Sequence, residues 1–530
     1  MGRVYLLDTT LRDGGYINEW RFGRDTIRGF GQKLARTGVE LFEVGFLKGS
    51  KYDEECSMFP TTASVKNVIM PKSESMKYVV MLDMSAPVPM EAIAPCDEDG
   101  VDGIRVIFKK DKIDEAYQYC KRIQELGYFI SVNFVGTDLY TDKEFIDGIE
   151  KFNALDPFAV SIVDSFGLIK RKQFLRLVHL ADNNLKEGIA LSYHAHNNLQ
   201  QAFGNAEALV EMNLQRDVII DACVYGMGRG AGNLNMELFA EYMNENRGTS
   251  YRIEPMLEIM DEYLTDIYKE KQWGYSLPFY LSASNGCHPN YAIYFAERDS
   301  LTAKAFGEIL QGMSVEDKAR FSRENAEKYY RKYLNRQIDD SAQIKKLKEA
   351  MEGRNVVVLA PGRSIREHAG EIAEACRMEQ TAVIAVNFIP DMVQPDYIFS
   401  NNMKRFNKIR GKTEVPCITT SNMADSVENG IVVDFEKYAP KDTQIMDNSG
   451  LMLLRLLQAI GIRKAYVAGM DGYSEYYGKD YYDRHLEYAF SYSAEKRNSL
   501  ISKELQELQK EMKIEFLTPT YYEVGETLSQ

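Results

Sequence analysis

The chain has 530 residues, 45% of them hydrophobic, which is enough for more than one ordinary core. A formal net charge of −14 argues against nucleic acid or an anionic membrane surface as a partner. The cysteines (Cys56, Cys96, Cys120, Cys223, Cys287, Cys376, Cys417) stand apart without a CxxC pair, no run approaches ~18 apolar residues, and MGRVYLLDTTLRD lacks a signal core. The expectation is a reduced, cytoplasmic, multidomain protein that does not enter the membrane.

In the first half, short apolar runs alternate with amphipathic stretches. Strands are predicted at Val4–Asp8, Leu41–Phe46, Tyr78–Met84, Gly103–Lys109, Phe129–Gly136, Ala159–Ser165, Ala190–His196 and Val218–Gly226. Helices are predicted between them, including Arg24–Thr37, Ile113–Leu126, Asp142–Asn153, Lys170–Asn184 and Leu199–Met212. Strands that alternate with helices make a parallel sheet, and eight such units over roughly 250 residues fit a (β/α)₈ TIM barrel. The domain is expected over residues 1–285. A barrel gathers its site at the C-terminal ends of its strands. Asp13, Glu43, Lys109, Asn133, Asp164, His194, His196 and Asn233 all fall near such ends.

Residues 286–354 are expected to form a helical lid or connector. Trp273–Tyr294, rich in aromatics, glycine, proline and asparagine, reads as an irregular lid or packing element. Ser314–Arg354 mixes both charge signs at helical spacing and reads as a solvated connector helix. From Asn355 to the end a second α/β pattern appears. Its strands are predicted at Asn355–Leu359, Ala382–Phe388, Tyr397–Asn401, Cys417–Ser421, Gly430–Phe435, Ala465–Gly469 and Ile514–Thr518. Its helices are predicted at Arg366–Arg377, Gly450–Ile460 and Ala494–Met512. This is the pattern of a Rossmann-like, doubly wound sheet.

His194 and His196 stand two apart at a strand end, so they share a face. With Asp13, and Asn233 as a fourth group, they form a set of nitrogen and oxygen donors for one divalent cation. Mn²⁺ and Mg²⁺ lead the expectation, with Zn²⁺ and Co²⁺ as alternatives. Arg12, beside Asp13, would hold a negatively charged substrate such as a 2-oxo acid and stabilise its enolate. Lys109 and Arg105 read equally as substrate-acid binders or as salt-bridged residues. His288 reads as a turn or lid residue and His179 as structural.

The motifs DTTLRDGG, HAHNN and GMGRGAGN resemble those of the metal-dependent (β/α)₈ lyase and synthase superfamily that includes hydroxymethylglutaryl-CoA lyase. IDACVYGMGRGAGN is most similar to the 4-hydroxy-2-oxovalerate aldolase branch. The resemblance implies Asp13, His194, His196 and Asn233 as metal ligands and Arg12 as the group polarising the substrate or enolate oxygen. It implies Glu43 as support for the arginine or as a substrate binder, and Asp164 as a pocket residue. Tyr16 stands where the aldolases carry a histidine acid/base. The activity implied is aldol cleavage or formation of a 4-hydroxy-2-oxo acid through a pyruvate enolate, from 2-oxo acid and aldehyde partners, in a homodimer. The alternatives are a Claisen-type acyl-CoA synthase and a non-catalytic binding scaffold.

In the second half, the APGRS turn offers Gly362 and Ser364 to a phosphate at a helix start. NSGLMLLRLLQAIGIRKAYVAGMDGYS resembles segments of sialyltransferase-like and pterin-pyrophosphokinase-like α/β families. That resemblance implies a nucleotide pocket lined by Asn387, Asn401, Asn402, Ser449, Gly450 and Asp471. His485, in a segment rich in tyrosine and aspartate, is a further candidate.

Overall fold

The protein is described here as a computed structural model covering residues 2–49, 51–298, 300–426, 430–474, 480–483, 486 and 494–523. His485 lies outside the described residues. Two compact units are present, Met1–Asn290 and Tyr291–Gln530. No helix among the described residues is long and apolar enough to cross a membrane.

In the first unit, eight parallel strands close into a barrel: β1 (Val4–Asp8), β2 (Leu41–Leu47), β3 (Lys77–Asp83), β4 (Gly103–Phe108), β5 (Phe129–Phe134), β6 (Ala159–Asp164), β7 (Ala190–Ala195) and β8 (Val218–Ala222). Each pairs with the next, and β1 pairs with both β2 and β8, which removes the sheet edges. Helices such as Ile113–Glu125 and Asp142–Asn153 cover the outside through buried apolar stripes, for example Phe145, Ile149 and Phe152. The predicted eighth strand is shorter than expected. It ends at Ala222, and a tight turn at Val224–Gly226, with Tyr225 at φ 61°, carries the chain away.

Strand parity decides what fills the barrel. At one level of the barrel, Leu7, Leu41, Val79, Ala159, Ala190 and Ile219 pack into one apolar plug. Two residues on, the same inward faces carry Glu43, Ser161, Ser192 and Asp221, all buried. Arg105 and Asn133 complete this polar tier, at 1% exposure each. The barrel is therefore solid and dry below and charged above.

In the second unit, β9 (Asn355–Leu359), β10 (Thr381–Val386), β11 (Tyr397–Ser400), β12 (Cys417–Thr420), β13 (Ile431–Val433), β14 (Lys464–Ala468) and β15 (Lys513–Phe516) form one parallel sheet. Its spatial order is β13-β12-β11-β10-β9-β14-β15. The chain winds outward from β9 one way and then the other, as a doubly wound sheet does.

The connector departs from its expected form. Ser314–Arg354 is three helices, Val315–Ala319, Arg323–Leu334 and Ser341–Met351, and it clusters with the second unit. Ala326, Tyr330 and Leu334 make a buried stripe that the surrounding charges mask in the sequence. Between the last two helices, Asp340 is 2% exposed and accepts from the Asp434 N–H at 2.9 Å and the Tyr438 hydroxyl at 3.1 Å. The supposedly irregular Trp273–Tyr294 segment contains a regular helix, Leu277–Ser284. The predicted Arg366–Arg377 helix is instead two, meeting at His368.

Candidate functional site

One helical turn, Thr10–Asp13, follows β1 directly. So short a turn has no cooperative stability of its own, and neighbouring side chains hold it. Asp8 accepts from the Thr10 N–H at 3.0 Å and the Thr10 hydroxyl at 2.7 Å. The Thr10 hydroxyl oxygen in turn accepts the Val224 N–H at 2.8 Å. The Trp20 indole donates to the Arg12 carbonyl at 2.7 Å, and the Ser57 hydroxyl to the Leu11 carbonyl at 2.7 Å. The DTTLRD segment is thereby clamped to the end of β8 and to the loop after β2. It presents Arg12 and Asp13, at 5% and 0% exposure.

His194 and His196 leave the end of β7 with ring centroids 5.4 Å apart. Nε2 of His194 lies 3.3 Å from Asp13 Oδ2, and Nε2 of His196 lies 3.8 Å from it. One ligand atom from each of the three residues falls within 4.8 Å of the others. Asn233 joins them: its amide nitrogen donates to Asp13 Oδ2 and, at 3.2 Å, to Cys223 Sγ. Its amide oxygen is buried with no hydrogen-bond partner among the described residues.

These residues fit a divalent cation. The donors are a carboxylate and imidazole nitrogens, converging from separate elements. Nδ1 of His194 faces Asp221 Oδ2 at 3.1 Å, a partner that would keep the proton on Nδ1 and free Nε2 for a bound cation; burial disfavours the charged ring, but Asp13 and Asp221 outweigh it and raise its pKa. The partnerless oxygen of Asn233 is available as a further ligand after rotation of the amide. Burial holds His196 in its neutral, ligating form, with its pKa lowered to about 4. Burial disfavours the Asp13 carboxylate, but Arg12 and the two histidines outweigh it and keep its pKa well below the usual range.

Beneath this cluster lies a closed ring of charges that sequence reasoning did not assemble. The Arg12 Nε–H donates to Glu43 at 2.7 Å, and Arg105 donates to the other Glu43 oxygen at 3.0 Å. Arg105 also pairs with Asp221, Asp221 faces His194, and His194 faces Asp13. The Arg12 Nη1–H closes the ring on Asp13 at 2.7 Å. Five strand ends or their loops contribute. Of the residue's two readings, Arg105 takes the salt-bridged one. Asp221, a charged residue at inward parity within the apolar run VIIDA, carried the signal that could have found this ring.

The HAHNN and GMGRGAGN motifs are also tied together. Asn198 accepts the Ala231 N–H at 2.8 Å and donates to the Phe166 carbonyl at 2.9 Å, while the Asn197 N–H donates to the Gly232 carbonyl at 2.8 Å. Gly232 has φ +76°, and a Cβ there would lie 2.2 Å from the Gly226 carbonyl oxygen. Gly232→Ala is therefore expected to cost about 2–3 kcal/mol and to displace Asn233. Urea denaturation and cation titration check both effects.

The other predicted residues take different places. Asp164 turns its carboxylate onto the backbone N–H groups of Leu168 and Ile169, at 2.8 and 3.0 Å, and so shapes the loop after β6. Burial raises its pKa to about 7. Tyr16 is 43% exposed, with its ring 4.8 Å from that of Trp20. Burial, with Asp13 adding to it, raises the phenol pKa, so Tyr16 keeps its proton at neutral pH. His288 meets Arg229, and His179 is exposed on its helix.

In the second unit, Gly362, Asn387, Asn402, Ser449, Gly450 and Asp471 line one cleft at the C-terminal ends of β9, β10 and β14, where the winding reverses. Asn387 donates to the Ser449 hydroxyl at 2.7 Å and Asn401 to the Asp447 carbonyl at 3.0 Å. Asp471 accepts the Ser364 N–H at 2.8 Å, so these two residues are engaged with each other.

Fold and site together define the first unit as a (β/α)₈ barrel with a candidate cation centre at its C-terminal rim. Residues 3–261, most of this unit, match the family model described as HMGL-like. Among similar proteins, the 4-hydroxy-2-oxovalerate aldolase of Geobacillus genomosp. 3 is 24% identical over 268 residues, 50% of this chain and 77% of its own. That of Roseiflexus castenholzii is 27% identical over 250 residues, 46% of this chain and 71% of its own. Among solved structures, the N-terminal domain of a presumed aldolase from Bacteroides vulgatus aligns with 26% identity and a TM-score of 0.46, over 55% of this chain and 96% of that one.

Proposed function

We propose that the barrel is a divalent-metal-dependent aldolase acting on a 4-hydroxy-2-oxo acid, with Mn²⁺ or Mg²⁺ as its ion. The observation that carries this reading is the meeting of Asp13, His194 and His196 within 4.8 Å of one another, beside Arg12. Asp13, His194, His196 and Asn233 would hold the ion, which supplies Lewis-acid polarisation of substrate oxygens when bound.

The protein's own groups do the rest. Arg12 spends Nε on Glu43 and Nη1 on Asp13, which fixes its plane and leaves Nη2 to meet the substrate's C2 oxygen. Loss of the C4 hydroxyl proton to a solvent water at the barrel mouth is followed by cleavage of the C3–C4 bond. Its electron pair moves to the C2 carbonyl, giving an aldehyde and a pyruvate enolate whose oxygen Arg12 stabilises. Tyr16 is the donor that returns a proton to C3, since it is protonated at neutral pH, and it regains that proton from solvent. Glu43 is a positioning residue, and Asp164 holds the loop beside the pocket. In the second unit, the same reading gives the cleft at Gly362, Ser449, Gly450 and Asp471 to a nucleotide.

The test is pyruvate release from a racemic 4-hydroxy-2-oxo acid by Mn²⁺-loaded protein, coupled to lactate dehydrogenase. Release is expected with Mn²⁺ and not after chelation. Tyr16→Phe is expected to lower kcat by roughly 10²-fold. Absence of release across a series of such acids would refute the aldolase reading.

A further inference from the structure

Arg229 is a half-buried rim cation that neither the cation centre nor the charge ring uses. It lies in the loop between β8 and Asn233, and its Cζ stands 5.4 Å from the centroid of the Tyr16 ring. Its polar partners are neutral: Nη2 donates to the Asn290 amide oxygen at 2.7 Å and lies 3.0 Å from Nε2 of His288. His288 meets it as an uncharged ring. Burial, with Arg229 and Lys109 adding to it, holds that imidazole neutral down to about 3. Among the described residues, no carboxylate comes within ion-pair distance of Arg229. Arg12 and Arg105, by contrast, each meet two.

A half-buried guanidinium without a counter-ion is costly unless something else supplies the negative charge. Asn290 and His288 hold it in place without neutralising it. It stands against the ring of Tyr16, which is 43% exposed, whereas Arg12 and Asp13 are buried at 5% and 0%, so Arg229 lies on the outward side of the site. A substrate whose 2-oxo acid end is fixed at Arg12 therefore runs outward toward Arg229.

We infer that Arg229 receives a second anionic group, so that the barrel takes 4-hydroxy-2-oxo acids whose aldehyde portion carries a carboxylate or a phosphate-type tail. This rests on the aldolase reading and narrows its substrate class. Arg229 is a binding residue here, and no bond is made or broken at it.

The experiment is calorimetric binding to the full-length, Mn²⁺-loaded protein, which needs no turnover. The probes are 2-oxoglutarate, its neutral-tailed equal 2-oxopentanoate, and the five-carbon 2-oxo acid ending in a phosphonate. At least one anionic-tailed probe is expected to bind about 30-fold more tightly than 2-oxopentanoate. The tighter of the two identifies the tail. Arg229→Met, checked for folding by its melting temperature, is expected to erase the preference, and Arg229→Lys to keep part of it. Equal binding of all three probes by the unsubstituted protein overturns the inference while leaving the aldolase reading standing. So does a preference that survives in Arg229→Met. Binding of none of them overturns both.

Discussion

Asp13→Ala is expected to abolish cation binding in the barrel and to lower kcat/KM for pyruvate release by at least about 10³-fold. Asp13 is fully buried and is the point on which the site converges. Arg12, His194, His196 and Asn233 all face its two oxygens. Its removal takes away the one anionic ligand, and two imidazoles with an amide are a much weaker set for a hard dication. Arg12 keeps its bond to Glu43 but loses the contact that fixes Nη1, so the guanidinium plane is freed as well. Asp13→Asn separates the two effects, because an amide oxygen can still accept from Arg12 while the negative charge is gone. It is expected to retain more stability than Asp13→Ala and almost as little activity. Isothermal titration with Mn²⁺ and the coupled pyruvate assay are the measurements. A variant that binds one equivalent of Mn²⁺ at the original affinity would place the cation elsewhere.

The parts of this site that were legible in the sequence are those written in local spacing. His194 and His196 could be placed on one face because strand parity is a property of the backbone alone. Arg12 and Asp13 could be placed at a strand end because the apolar run VYLLD stops there. The barrel followed from the alternation of eight such runs with amphipathic stretches, and the seven-stranded sheet from the same pattern after Asn355. What the spacing could not carry was pairing over distance. Arg105 and Asp221 are 116 residues apart, and only closure of the barrel brings them together. Asp164 lies at the rim as expected, but it bonds with the two N–H groups just beyond its own strand, a choice that depends on the path of the loop. The helices of residues 314–354 were hidden for a related reason. Their buried stripe is narrow and their charges many, and the break before Ser341 depends on Asp340 finding Asp434, Lys437 and Tyr438 almost a hundred residues later.

The charge ring makes the second large expectation. Arg105→Met should destabilise the first unit by about 3–5 kcal/mol. Arg105 is 1% exposed and is shared between two carboxylates that are themselves buried, Glu43 at 0% and Asp221 at 2%. Methionine matches much of its volume and offers neither of them a proton, so Glu43 is left with Arg12 alone and Asp221 with His194 and Ser192, each buried carboxylate losing its shared cation. Arg105→Lys should recover only part of the loss. An ammonium has the charge but not the forked reach to span Glu43, Asn133 and Asp221 at once. The damage should also travel upward. Without Arg105, Asp221 is drawn more strongly to His194, and that ring loses the fixed pose that aims Nε2 at Asp13. Cation affinity should therefore fall in Arg105→Met by about 10–100-fold, although Arg105 is not a ligand. Relieving one of these charges provides the internal control. In the double variant Arg105→Met with Asp221→Asn, the stability loss should be smaller than the sum of the two single losses, because the residues act as one unit. Urea unfolding followed by circular dichroism measures the stabilities. If Arg105→Met unfolds at the midpoint of the unsubstituted protein, the ring contributes nothing to holding the barrel's upper tier.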